Sequence, residues 1–132
     1  MKHFSIIIPT LNEAENIIPL LEQITETTEK NEMNPEIIFV DDGSTDGTRD
    51  IIAAYSGPLI VRLIFRQSSP GLARSVVTGA SAATRDTVVV MDADLSHSPD
   101  LIPDLLLPIA ENTSDMVIGS RFVKGASTPG LS

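Results

Sequence analysis

The stretch Thr87-Val88-Val89-Val90-Met91-Asp92-Ala93-Asp94 joins a short, almost unbroken apolar run to two acids one residue apart. A β-branched run of that length, with no polar alternation, is what a strand covered on both faces requires. Phe4–Ile8, Ile37–Val40, Leu59–Phe65 and Met116–Ile118 have the same character. The segments between them carry helical spacing. Ile17, Leu21 and Ile24 form a stripe, and Asn12 with Glu15 resembles a capping box just upstream. Pro19 is tolerated only in a first helical turn, which predicts a start near Asn16. A second helix is expected over Thr48–Tyr55, entered from Ser44-Thr45-Asp46, and a third over Leu72–Ala83. A fourth spans Pro99–Ala110, with Ser98 as N-cap and Pro99 at the first helical position. Strict alternation of strand and helix predicts right-handed crossovers and an α/β fold: a mainly parallel sheet with helices on both faces. Residues 125–132 read as a loop-like tail, leaving residues 1–124 as the folded domain.

With 132 residues, 42% of them apolar, the chain makes one domain with a substantial core. The absence of cysteine excludes a disulfide scaffold, a cysteine-based zinc site and a thiol nucleophile. A net charge of −9 and only five aromatics argue against a nucleic-acid partner. Acids are absent from Ile51 to Arg85, whereas Arg62, Arg66, Arg74 and Arg85 fall there. A cationic middle between acidic ends suits an anionic ligand; an unevenly charged, solvated surface would read the same way. No apolar run reaches the length of a membrane span, and Pro9 ends the first run too early for a signal-peptide core. The expected location is the cytoplasm, including its membrane surface.

Ligands of open parallel sheets bind beyond the carboxyl ends of the strands, so the residues after each apolar run carry the chemistry. Asp92 and Asp94, at i and i+2 of an extended segment, point the same way. At about 4 Å their repulsion is roughly 4 kcal/mol at an effective dielectric near 20. A hard divalent cation relieves it and keeps positions open for phosphate oxygens. The alternative is that Asp94 caps a turn and Asp92 is merely solvated. Asp41-Asp42-Gly43-Ser44 suits a tight turn, with Ser44 or Asp46 capping the next helix. Two adjacent acids at a buried strand end could also accept hydrogen bonds from a ribose or a base N–H. Glu13 reads either as a ligand group or as a first-turn acid on the helix dipole, and Arg121 as a diphosphate clamp or a surface residue. His3 and His97 do not stand at metal-ligand spacing. No Gly-x-Gly-x-x-Gly, Gly-x-x-x-x-Gly-Lys-Ser/Thr or Gly-x-Ser-x-Gly occurs, which removes the signatures of dinucleotide binding, of P-loop nucleotide hydrolysis and of the serine-hydrolase elbow.

Four motifs, Ile8-Pro9-Thr10-Leu11-Asn12-Glu13, Val40-Asp41-Asp42-Gly43-Ser44-Thr45-Asp46-Gly47-Thr48, Asp92-Ala93-Asp94-Leu95-Ser96 and Gly119-Ser120-Arg121-Phe122, together resemble glycosyltransferase family 2. Within it they are most similar to the polyprenyl-phosphate (dolichol-phosphate) mannosyltransferases and glucosyltransferases. The resemblance implies a Rossmann-like GT-A fold, a nucleotide-diphospho-sugar donor (a GDP- or UDP-hexose) and Mg²⁺ or Mn²⁺. By position, Pro9, Leu11 and Glu13 would border the base and ribose, and Val40 and Asp42 would hold the base side. Asp92 and Ala93 would touch the ribose or the metal shell. Asp94 would ligate the metal, with Asp92 and Ser96 beside it, and Arg121 would face the phosphates or the acceptor. The implied catalytic pair is Asp94 and Arg121. The implied reaction moves mannose or glucose to a polyprenyl phosphate with inversion.

Leu11 stands where these enzymes often carry an aromatic, and Ser96 where the polyprenyl-phosphate enzymes usually carry Gln. Family members also continue well beyond this length, through residues that complete the acceptor site. A donor-binding module without transferase activity is therefore the alternative expectation. Peripheral membrane contact and self-association through exposed apolar surface fit the same picture. A sugar-phosphate nucleotidylyltransferase would need a Gly-rich signature with a basic residue after the first strand, and Pro9 to Glu13 has neither.

Overall fold

The computed structural model describes residues 3–66, 71–94 and 116–118. The expected helix over Pro99–Ala110 and the tail 125–132 lie outside these residues. The elements run β1 (Ser5–Thr10), α1 (Ala14–Lys30), β2 (Glu36–Asp41), α2 (Thr48–Ala53), β3 (Ile60–Phe65), α3 (Leu72–Ala82), β4 (Val88–Val90) and β5 (Met116–Ile118). All strand pairs are parallel, in the order β3-β2-β1-β4-β5. The chain thus winds outward from β1 through β2 to β3, then crosses back over β1 to β4. That reversal makes the β1/β4 junction the topological switch point.

Residue parity explains why the strand sequences are so uniformly apolar. Phe4, Ile6 and Ile8, Ile37 and Phe39, and Val89 and Met91 face one core with Ile17, Leu20, Leu21 and Ile24 of α1 and Ile52 of α2. The alternate residues Ile7, Ile38, Val40, Val88 and Val90 form a second core on the other face, against Val76 of α3. Gly79 lets α3 press onto this second face: a Cβ there would sit 2.4 Å from a methyl of Ile7. β3 departs from expectation. It has the apolar run of a doubly covered strand, yet its residues are exposed or half-buried, because it is the outer strand of the described sheet.

Helix α1 begins at Ala14, two residues before the expected start, and Pro19 lies inside it. The proline removes the N–H that would reach the Glu15 carbonyl. Both residues are exposed, so water can donate to that carbonyl in place of the missing N–H. The capping-box expectation is also corrected, since no side chain of the helix's own entry caps it. Its first amides are satisfied from another loop, as described below. Helix α2 is shorter than Thr48–Tyr55, ending at Ala53, and α3 ends at Ala82.

Pro9 sits in the central strand, where a proline would normally cost a ladder bond. Here it does not. The Ile7 carbonyl accepts the Met91 N–H, so Ile7 faces β4, and Pro9, two residues on, faces the same way. The pairing with β4 ends at Val90, so the absent N–H of Pro9 falls beyond the ladder. The two strands therefore part at their carboxyl ends.

One buried acid lies at the opposite edge of the sheet. Glu36 opens β2 and accepts hydrogen bonds from Ser5 Oγ at 2.7 Å, from Arg62 at 2.8 Å, and from the Thr84 N–H and hydroxyl at 2.9 and 3.1 Å. Burial pushes its pKa up, but these donors outweigh burial and bring it down from 4.5 to about 2. An arginine in the middle of the apolar run Leu59–Phe65 was the sequence signal of this pair.

Candidate active site

The crevice expected at a switch point lies here between the end of β1 with its following loop, Pro9–Glu13, and the residues after β4, Asp92–Asp94. The β2–α2 loop flanks it on the other side of β1, where Thr10 and Asp41 are register partners. Two loops meet there and are stapled to each other. The Asn12 N–H donates to Ser44 Oγ at 2.8 Å, and the Thr45 N–H donates to Asn12 Oδ1 at 2.8 Å. The N–H groups of Glu13 and Ala14, orphan donors of the α1 terminus, reach Thr48 Oγ1 at 2.9 Å and Asp46 Oδ2 at 3.1 Å. Asn12 holds φ 56°, a left-handed conformation that asparagine tolerates better than most residues. Gly43 and Gly47 supply the other positive φ values, 109° and 95°. Leu11 projects from this staple with 49% of its surface exposed.

Asp41 and Asp42 are adjacent in sequence and serve different parts of the fold. Asp41 is fully buried and accepts from the Gly43 and Ser44 N–H groups at 3.0 and 2.9 Å, from Thr10 Oγ1 at 2.8 Å and from Ser44 Oγ. Arg49 Nε stands 3.6 Å away. Burial raises the Asp41 pKa, and the Ser44, Thr10 and Gly43 donors more than reverse it, so the group stays ionised. Asp42 accepts from Arg66 at 2.6 Å, from Ser75 Oγ at 2.8 Å and from the Gly71 N–H at 3.1 Å. It ties the ends of β2 and β3 to the start of α3. Burial again works against its charge, and Ser75, Gly71 and Arg66 hold its pKa below the usual range. Asp46 is lowered too, chiefly by the Thr48 hydroxyl.

The second acid pair has a different setting. Ala93 is 2% exposed and belongs to the α1-side core with Met91. Asp92 and Asp94 stand off that core, half-buried and exposed respectively. Two oxygen-donor carboxylates after a strand end suit a hard divalent cation, which completes its shell with diphosphate oxygens and water. Among the described residues no group of three or more potential ligands gathers.

Pro9, Leu11 and Glu13 thus stand at or just after the end of β1, and Asp92 and Asp94 just after the end of the neighbouring β4. Val40 and Ala93 are corrected in one respect: both side chains are core, so only their backbone is available to a ligand. Glu13 accepts from Asn16 Nδ2 at 2.8 Å. Ser96 and Arg121 lie outside the described residues. Sequence reading missed Asn12, Arg66 and Ser75 as organisers of this edge. The signal for Arg66 and Ser75 was Asp42 itself, since a second acid beside a buried one needs its own donors.

The parallel sheet with its helices matches the Rossmann-like GT-A fold of solved glycosyltransferases. The model of "Glycosyl transferase family 2" matches residues 5–131, and the chain belongs to that family. It is 44% identical over 121 residues to a dolichol-phosphate mannosyltransferase of Pyrococcus furiosus, covering 92% of this chain and 34% of that protein. A dolichol-phosphate mannosyltransferase of Mycosarcoma maydis is 38% identical over 128 residues, covering 93% and 43%. Among solved structures, the mannosyltransferase PcManGT of Pyrobaculum calidifontis, in complex with GDP-Man and Mn²⁺, matches with a TM-score of 0.65 and 31% identity, covering 78% of this chain and 31% of that one. The chain spans between a third and a half of the length of the curated relatives. Among the described residues no helix is long and apolar enough to cross a membrane.

Proposed function

We propose that residues 1–124 form the donor-binding domain of a metal-dependent inverting glycosyltransferase, with residues 125–132 as a loop-like tail. The donor is a nucleotide-diphospho-hexose carrying mannose or glucose, and the acceptor is a polyprenyl phosphate. The observation that carries this reading is the parallel pairing of β1 with β4, which sets the ends of the Pro9–Glu13 and Asp92–Asp94 segments on neighbouring strands at one edge of the sheet. The names of the two dolichol-phosphate mannosyltransferases and the GDP-Man and Mn²⁺ of PcManGT support the substrate class and the metal.

In this reading Leu11 and Glu13 border the base and ribose, and the stapled loops keep them in place before the donor arrives. Asp42 lies on the base side, held in one orientation by Arg66 and Ser75. Asp92 and Asp94, with Ser96, would hold a divalent cation. Mg²⁺ or Mn²⁺ bound there supplies a positive charge against the diphosphate as it leaves. Arg121 faces the phosphates. The acceptor phosphate oxygen attacks the anomeric carbon from the side opposite the diphosphate, forming a C–O bond as the bond to the diphosphate breaks, which inverts the centre. That oxygen is already anionic, so no general base is needed. The reaction takes place at the membrane surface, where a polyprenyl phosphate resides.

The test incubates the chain with labelled GDP-mannose or UDP-glucose, Mn²⁺ and a short-chain polyprenyl phosphate. Labelled lipid of inverted anomeric configuration is the expected product. Binding of the donor without transfer or hydrolysis would leave a donor-binding module. Failure to bind any nucleotide-sugar would overturn both.

A further inference from the structure

The far edge of the molecule carries a feature that the proposed reaction does not use. A groove of about 470 Å³ runs between α1 and the connection from α2 to β3. That volume lies within the range of sites that hold ligands or side-chain anchors. Its floor is apolar, built from Ile18, Leu21, Tyr55 and Pro58. Ile18 leaves 46% of its surface exposed there. One rim is a row of glutamates, Glu22, Glu26 and Glu29, spaced by four and three residues so that they share one side of α1. No lysine or arginine lines the groove. Among the described residues these three exposed carboxylates take part in no hydrogen bond or ion pair. Like charges at that spacing work against a helix, and no ion pair among the described residues engages them.

The opposite wall is fixed before any partner arrives. Tyr55 Oη accepts the Leu59 N–H at 3.1 Å. The backbone at Gly57 lies so close to the ring that a Cβ would sit 2.3 Å from Tyr55 Oη. A preformed wall lowers the ordering cost of binding. The groove runs along α1 from Ile18 to Glu29 beside the segment that enters β3, and none of its lining residues is one of those assigned to the donor site.

We infer that this groove is a docking site for a cationic amphipathic segment of another polypeptide. Its aliphatic residues fill the floor beside Ile18 and Tyr55, and its lysines or arginines run along Glu22, Glu26 and Glu29. Charge complementarity selects this occupant, because the rim is a one-sign row over an apolar floor. The inference is independent of the reaction proposed above.

The test titrates a fluorescent helical peptide of about 18 residues, some five turns, with lysines along one edge and leucines on the adjoining face. Saturable binding is expected. It should weaken about tenfold in the triple variant Glu22→Gln/Glu26→Gln/Glu29→Gln, and further as salt rises from about 0.05 to 0.5 M. Ile18→Ser should weaken it as well, while Asp50→Asn/Asp86→Asn, which removes charge outside α1, should leave it unchanged. All the substituted residues are exposed, and unchanged thermal unfolding would show that the fold persists. Equal loss per charge removed in the two sets of variants would reduce the effect to net charge and overturn the inference. So would equal binding of a scrambled peptide of the same composition, displacement by spermidine alone, or absence of binding.

Discussion

Asp41-Asp42 and Asp92-x-Asp94 look alike in sequence, each an acidic pair closing an apolar run, yet the fold treats them differently. Asp41 is buried and Asp42 half-buried, and donors from three other segments surround them. Asp92 is half-buried and Asp94 exposed. A carboxylate buried among protein donors organises structure, and one exposed at a strand end is open to an approaching cation or ligand. Position at a strand end is therefore not enough to assign a role, since burial differs between positions that look alike in sequence.

The largest expected effect separates the pairs by stability. Asp41→Ala should cost about 3–5 kcal/mol in urea unfolding, because it strands the Thr10 and Ser44 hydroxyls and two buried amides. Asp94→Asn, at an exposed position, should change stability by less than about 0.5 kcal/mol. Equal losses would erase the contrast.

Glu36 extends the comparison to the other end of β2. Its folded pKa of about 2 lies below the ordinary 4.5, so the unfolded chain takes up the proton first as pH falls. The ion pair's stabilisation is complete above about pH 4.5 and is lost as pH drops toward 2. With Arg62 partly exposed, it is about 2 kcal/mol. Stability measured from pH 6 to pH 2.5 should fall less steeply in Glu36→Gln than in the parent chain. A parallel fall would remove the carboxylate from the account.

Gly79→Ala is a packing test of similar or smaller size. The added methyl meets Ile7 and should cost about 1–3 kcal/mol through overpacking, despite alanine's better helix propensity. A gain in stability would mean that α3 can move off the sheet freely. Smallest of all should be Leu11→Ser, within about 0.5 kcal/mol by unfolding because the side chain is half in solvent, with any effect confined to donor affinity.

Much of this fold could be read from the chain. Five apolar runs became five parallel strands because both faces of the sheet are covered, which removes polar alternation from the inner strands. The run in β3 misled, since its apolar residues lie on an outer strand whose exposure depends on topology rather than composition. Pro19 misled for a local reason: a helix tolerates it on a solvated side, where the freed carbonyl can meet water. The loop staple was beyond reach, because Asn12 and Thr45 are 33 residues apart and only the β1/β2 register brings them together. The candidate site was legible as a set of strand-end acids. The division between structural and crevice carboxylates was not, because it depends on donors such as Ser75 and Arg66 that arrive from other elements.

The central claim is that Asp92 and Asp94 hold a divalent cation against a nucleoside diphosphate at the β1/β4 crevice. Calorimetric titration of GDP-mannose into the chain, with Mn²⁺ and with EDTA, tests it directly when repeated on Asp94→Asn. The account predicts saturable binding with Mn²⁺ that weakens at least about tenfold, or 1.4 kcal/mol, in EDTA and in the variant. The same affinity in EDTA, or an unaltered Mn²⁺ response in Asp94→Asn, would contradict it.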